Sequence, residues 1–128
     1  MRTRAIIATI GLGFGLVLFG ASPAMAEGGT VKSVGGGAST EFVDTVDKFI
    51  VCDLLADGYR AVGWIEVKQA DGSWNKFPKE EAVNGAGHCN PKDVEVLSEA
   101  ADLKVVACVQ NGAAGNPFNC NSKVLAGS

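Results

Sequence analysis

The chain has 128 residues, 20% of them charged, with 11 basic against 14 acidic side chains and a net charge of −3. That length holds one small domain, and the acidic balance disfavours nucleic acid and other anionic polymers, which need a basic stripe. Four cysteines and a single histidine offer little for zinc: no C-x-x-C pair occurs, and His88 adjoins Cys89.

In chain order, residues 1–26 read as a secretory signal peptide. Arg2 and Arg4 give a basic start, Ala5 to Gly20 is apolar, and Ala24-Met25-Ala26 is a small-residue cleavage site. Thr3 separates the arginines, which predicts the general secretory route rather than the twin-arginine one. The cleavage site speaks against the alternative, an uncleaved membrane anchor. Cleavage leaves 128 less 26, that is 102 residues, as a single domain 27–128. Arg2 and Arg4 go with the leader, so nine basic residues face 14 acidic ones, a balance of −5. No cysteine precedes Cys52 as a lipid-attachment site, so the product is expected to be secreted, extracellular and free of the membrane.

The next elements follow from glycines, turns and alternation. A short strand is expected about Thr30 to Val34, then a loop at Gly35-Gly36-Gly37. Residues 39–50 admit two readings. Phe42, Val43, Val46, Phe49 and Ile50 recur at helical spacing behind a Ser39 or Thr40 cap, and the same letters allow a strand entering Ile50. Phe49 to Val67 reads as a β-hairpin about Asp57-Gly58. In that register Cys52 faces Gly63 and Ile50 faces Ile65 on an inward, apolar side. Val51, Leu55, Val62 and Trp64 lie on the other side.

Asp71-Gly72 offers a second two-residue turn, which sets Gln69 opposite Trp74 and Glu66 opposite Phe77. Trp74 then sits at the edge of the core side, and Phe77 lies outside with Trp64. Pro78 to Gly87 reads as loop, Asp93 to Leu97 as a short strand, and Leu103 to Gln110 as a β-branched strand. Asn111 to Pro117 is turn-rich, and Phe118 to Leu125 is the last strand.

An even number of cysteines in an exported chain predicts two disulfides. Folding the final hairpin about Ala114 sets Cys108 opposite Cys120, at a separation a disulfide spans. Cys52 and Cys89 then pair by elimination. About seven short strands with frequent glycine turns predict an all-β fold, a small antiparallel β-sandwich, with immunoglobulin-like topology as one option.

The run Val51-Cys52-Asp53-x-x-Ala56-Asp57-Gly58-Tyr59-x-Ala61, with Ala107-Cys108-Val109 and Cys120, resembles small secreted four-cysteine proteins of actinobacteria. The resemblance covers the last two thirds of the chain. It implies a short β-sandwich outside the cell, mostly without assigned function, and transfers no catalytic residue. A weaker similarity is to exported α-amylase inhibitors of the same bacteria, whose inhibitory loop presents Trp-Arg-Tyr. Here only Tyr59-Arg60 is adjacent, and Trp64 stands further on.

Candidate sites follow. His88-Cys89 supplies two catalytic residue types, but neighbours on an extended chain point apart and a bridged cysteine is no nucleophile, so no enzyme and no cofactor are expected. Asp44, Asp47, Asp53 and Asp57 carry oxygens but do not follow a calcium-loop pattern, so no metal is expected. The outer patch of Val51, Leu55, Val62, Trp64 and Phe77 is the functional lead, and Trp64 and Phe77 with Tyr59 are the candidate recognition surface, for an extracellular glycan or protein. The competing reading has Phe42 and Val46 folding over this patch as core. The function expected is thus a secreted, non-catalytic binding module. The alternative is an inhibitor of a secreted hydrolase acting through the loop Asn111 to Pro117.

Overall fold

The computed structural model describes residues 28–94 and 101–127. The signal-peptide reading falls outside these residues, and of the expected strand Asp93 to Leu97 only Asp93, which ends a strand begun at Cys89, and Val94 lie within them. All regular structure among them is β: β1 (Gly29–Lys32), β2 (Ala38–Val43), β3 (Lys48–Asp53), β4 (Arg60–Lys68), β5 (Trp74–Lys76), β6 (Glu80–Ala82), β7 (Cys89–Asp93), β8 (Leu103–Gln110) and β9 (Phe118–Leu125). They form two antiparallel sheets, in the orders β1-β2-β3-β7 and β5-β4-β8-β9, with β6 also paired to β4. The chain is a β-sandwich. Read as immunoglobulin strands, β2-β3-β7 is the order A-B-E and β5/β6-β4-β8-β9 is C′-C-F-G, with β1 added outside A.

Residues 39–50 are strand rather than helix. β2 and β3 pair around a four-residue loop, 44–47, in which Asp47 takes a φ of 50°. Ala38, Thr40 and Phe42 alternate inward and oppose Asp53, Val51 and Phe49 on β3, so one face of this pair is buried throughout.

The expected hairpin from Phe49 to Val67 does not form. β3 and β4 belong to different sheets, and residues 54–59 carry the chain across the sandwich. Gly58 does adopt the positive φ of a tight turn, 81°, but at a corner between layers. Consequently Phe49, Val51 and Asp53 face the core, while Ile50 and Cys52 are half-buried on the opposite side. The residue met by Gly63 is not Cys52 in its own sheet but Thr40 and Val51 across the core. A Cβ on Gly63 would collide with Thr40 Oγ1 and lie 2.8 Å from Val51 Cγ2.

The second turn is three residues long rather than two, and this slips the register by one. Lys68 opposes Trp74 and Glu66 opposes Lys76, while Gly72 N–H donates to Gln69 O across the turn at 3.0 Å. Gly72 has a φ of 89°, the left-handed residue that closes such a loop. Because side chains alternate, one residue of slip exchanges the faces of Trp74 and Phe77. Trp74 turns outward beside Lys68, and Phe77 packs against the core from the inside. Beyond it, β6 was expected as loop. β5 and β6 behave as one edge strand with an extra residue at Phe77 to Lys79, where Pro78 has no N–H to offer the ladder.

Both disulfides are as expected. Cys52 and Cys89 are directly opposed on β3 and β7, 4.0 Å apart at Cα, and Cys108 bonds to Cys120 between β8 and β9 at 4.1 Å. Asn119, at φ 52°, is the extra residue of a bulge that sets Cys120 against Cys108. Each bond joins neighbours within a sheet, unlike the inter-sheet bridge of antibody domains.

Candidate functional site: the loop-bearing end

Strand directions gather four connections at one end of the sandwich. Residues 33–37, 54–59, 83–88 and 111–117 all leave or enter strands there, next to the pairs Ala38–Asp53, Cys52–Cys89, Ala61–Ala82 and Val109–Phe118. Eight large apolar side chains are exposed among the described residues. Six of them belong to this end: Val34, Leu54, Leu55, Tyr59, Val83 and Phe118. The other two, Val46 and Val124, stand apart on the hairpin loop 44–47 and on β9. Exposed apolar side chains scattered singly mean little; gathered on adjoining loops they mark a contact surface.

The loops are tied to one another. Leu54 N–H donates to Gly37 O at 3.0 Å, and Val34 N–H donates to Asn119 O at 2.8 Å. Asp53 N–H donates to His88 O at 2.9 Å, and Gly87 N–H returns a bond to Asp53 O at 2.7 Å. Tyr59 and Phe118 meet edge to face, ring centres 5.1 Å apart, joining loop 54–59 to β9. Asp57 Oδ1 accepts from Tyr59 N–H at 3.0 Å and fixes the turn beneath the ring. Both disulfides close strand pairs at this same end, so the staples sit under the loops.

Loop 111–117 has its own brace. The wholly buried Gln110 side chain donates through Nε2 to Gly112 O at 2.8 Å, and its Oε1 accepts from Lys79 at 3.2 Å. Lys79 and Arg60 both pair with Glu81, at 3.4 and 2.7 Å. The hydrogen bond from Arg60 is the main cause that holds the Glu81 carboxyl below its usual range. Arg60 therefore partners Glu81 on the neighbouring strand β6.

Asp53 is buried at the foot of loop 54–59, where Oδ1 accepts from Leu55 N–H at 3.3 Å. Desolvation is the larger cause that raises its pKa, and the charge of Asp57 adds to it; the Leu55 bond and His88 oppose. An acid whose folded pKa is raised favours folding while neutral in both states. That contribution is lost as pH rises from the ordinary carboxylate value through the raised one. Asp53→Asn keeps an acceptor for Leu55 and is expected to melt higher than the parent at pH 7. The difference should close below the carboxylate range, as checked by thermal melts from pH 3 to 8.

The sequence-derived recognition residues do not form one surface. Tyr59 is exposed at the loop end. Trp64 is 8% exposed: its Nε1 donates to Glu66 at 2.8 Å, and Lys76 Nζ lies 3.9 Å over its ring. It joins Val62, Val106 and Cys108 in a second buried cluster on the outer side of β4 and β8. Phe77 packs against the main core, and Val51 is fully buried there. The covering segment also fails as expected, since Phe42 is core and Val46 is exposed.

Val34, Leu54, Val83 and Phe118 are the residues that sequence reasoning missed, whereas it did set Leu55 on an exposed side. Asp44 and Asp47 lie at the opposite end of the sandwich from Asp53 and Asp57, so the four aspartates do not converge. Among the described residues no group of three His, Cys, Asp or Glu side chains could hold a metal. His88 is exposed, and Cys89 beside it is bonded to Cys52. No helix among the described residues is long and apolar enough to cross a membrane. No protein-family model, curated protein or solved structure matches this chain.

Proposed function

We propose that this chain is a secreted, non-catalytic binding module that docks its loop-bearing end on an apolar surface of another extracellular protein. The observation that carries the reading is the gathering of Val34, Leu54, Leu55, Tyr59, Val83 and Phe118 on mutually bonded loops. Aliphatic side chains dominate this surface, and its aromatic pair is engaged edge to face. That arrangement suits a protein contact better than stacking on a sugar ring. Loops held by two disulfides and by each other lose little entropy on binding. Two disulfides also fit an oxidising compartment, in keeping with the signal-peptide reading of residues 1–26.

The test is capture from culture supernatant and wall extract on immobilised protein. A captured partner is expected to be lost with Leu55→Asp and weakened about tenfold or more by Tyr59→Ala, as for a central interface residue. Retention of the same partner by both variants would overturn the reading.

A second reading, inhibition of a secreted hydrolase, is favoured by one feature of the same end. Loop 111–117 is bracketed by Cys108–Cys120 and braced by Gln110, as a rigid inhibitory loop must be. Inhibition of an amylase or protease that disappears with Gln110→Ala would select this reading.

A further inference from the structure

The outer face of the β5/β6-β4-β8-β9 sheet carries charge of the opposite sign to the rest of the protein. Arg60, Lys68, Lys76, Lys79 and Lys104 lie on it with Glu66 and Glu81, placed by alternation against the core-facing Ala61, Ile65 and Val67 and by direct cross-strand pairing. Of the described residues, five of nine basic and two of eleven acidic ones are on this face, a balance of +3 against −5 for the remainder. The acidic total of the chain conceals it.

The basic groups are interleaved with tryptophan. Lys104 Nζ stands 4.3 Å from the Trp74 ring centre and 3.7 Å from Glu66 Oε1, Lys68 Nζ is 6.0 Å from Trp74, and Lys76 lies over Trp64. Beside this row an open depression of about 270 Å³ is lined by Glu66, Lys104, Val106, Cys120, Asn121 and Ser122. Its lining offers an ammonium, a carboxylate, an amide and a hydroxyl beside apolar groups.

We infer that this sheet face binds an acidic polysaccharide, a chain of uronic acid residues. Arg60, Lys79 and Lys104 are paired with Glu81 and Glu66, whereas Lys68 and Lys76 stand beside tryptophan rings and can take anionic acceptors, which carboxylates supply. Glu66 accepts from Trp64 Nε1 and pairs with Lys104, and its carboxylate keeps lone pairs to which the hydroxyls of a pyranose can donate. The half-buried Trp74 gives the C–H face of a sugar ring an apolar surface beside the depression. Lys68, Lys76, Lys104 and Trp74 lie toward the opposite end of this sheet from the four loops, and the inference does not depend on the loop-bearing end.

Titration calorimetry with a hexamer of galacturonic acid tests the inference, with maltohexaose, a thymidine hexanucleotide and phosphatidylglycerol vesicles as comparisons. Binding of the galacturonate hexamer is expected, weakening as salt rises and falling about tenfold in Lys68→Gln/Lys76→Gln, both exposed residues. Trp74→Leu should weaken it as well. Lys32→Gln/Lys48→Gln, which removes the same charge from the other sheet, should leave it unchanged. The inference is overturned if the unsubstituted protein does not bind the hexamer, or binds maltohexaose equally. Tighter binding of the oligonucleotide or vesicles overturns it too, as does an equal loss in both lysine double variants.

Discussion

Gly63→Ala is expected to destabilise the protein by about 2–3 kcal/mol in a urea melt, the range of overpacking in a well-filled core. The added methyl would enter the space held by Thr40 Oγ1 and Val51 Cγ2 of the facing sheet, both residues being fully buried. Two backbones with their own hydrogen-bond ladders have little freedom to separate there. Thr40→Ala in the same chain should recover most of the loss, because it empties the collision point and removes a hydroxyl that has no hydrogen-bond partner. The result discriminates between topologies. Were β3 and β4 a hairpin, Gly63 would sit beside Cys52, and alanine would stabilise a strand interior over glycine.

Removing the disulfides is the second large effect. Cys52→Ala/Cys89→Ala opens a link spanning 37 residues, and Cys108→Ala/Cys120→Ala one spanning 12. Restriction of the unfolded chain predicts losses of about 4 and about 3 kcal/mol. The more telling outcome is local. Hydrogen exchange should accelerate in loops 54–59 and 83–88 for the first pair and in loop 111–117 for the second, while turn 69–73 at the other end keeps its protection. Uniform acceleration through both sheets would mean that the bonds serve the fold as a whole rather than the loop-bearing end.

What was legible in the sequence depended on how distinct the two faces of each strand are. β8 and β9 are readable to their last residues, because a β-branched run and a turn-rich loop leave one hairpin, and that hairpin opposes Cys108 to Cys120. β3 was not, because Phe49, Ile50, Val51 and Cys52 are apolar or small at both parities, and alternation then selects no face. Asp57-Gly58 is a true turn, but the same dipeptide serves a hairpin or a corner between sheets. Only the pairing of β4 with β8 and of β3 with β7 decides which. Asp71-Gly72 failed more narrowly: it forms the last two positions of a three-residue loop instead of a whole two-residue one. That single residue moved Phe77 into the core and Trp74 out of it. The recognition surface was illegible for a related reason. Tyr59 and Phe118 are 59 positions apart, and nothing local announces that they touch.

Hydroxyl-radical footprinting of the protein, free and bound to material captured from its own culture, tests the central claim most directly. Leu54, Leu55, Tyr59 and Phe118 are predicted to be shielded on binding, while the more exposed Val46 and Val124 keep their reactivity. Undiminished oxidation of the four, with protection elsewhere, would contradict a partner held by the stapled loops.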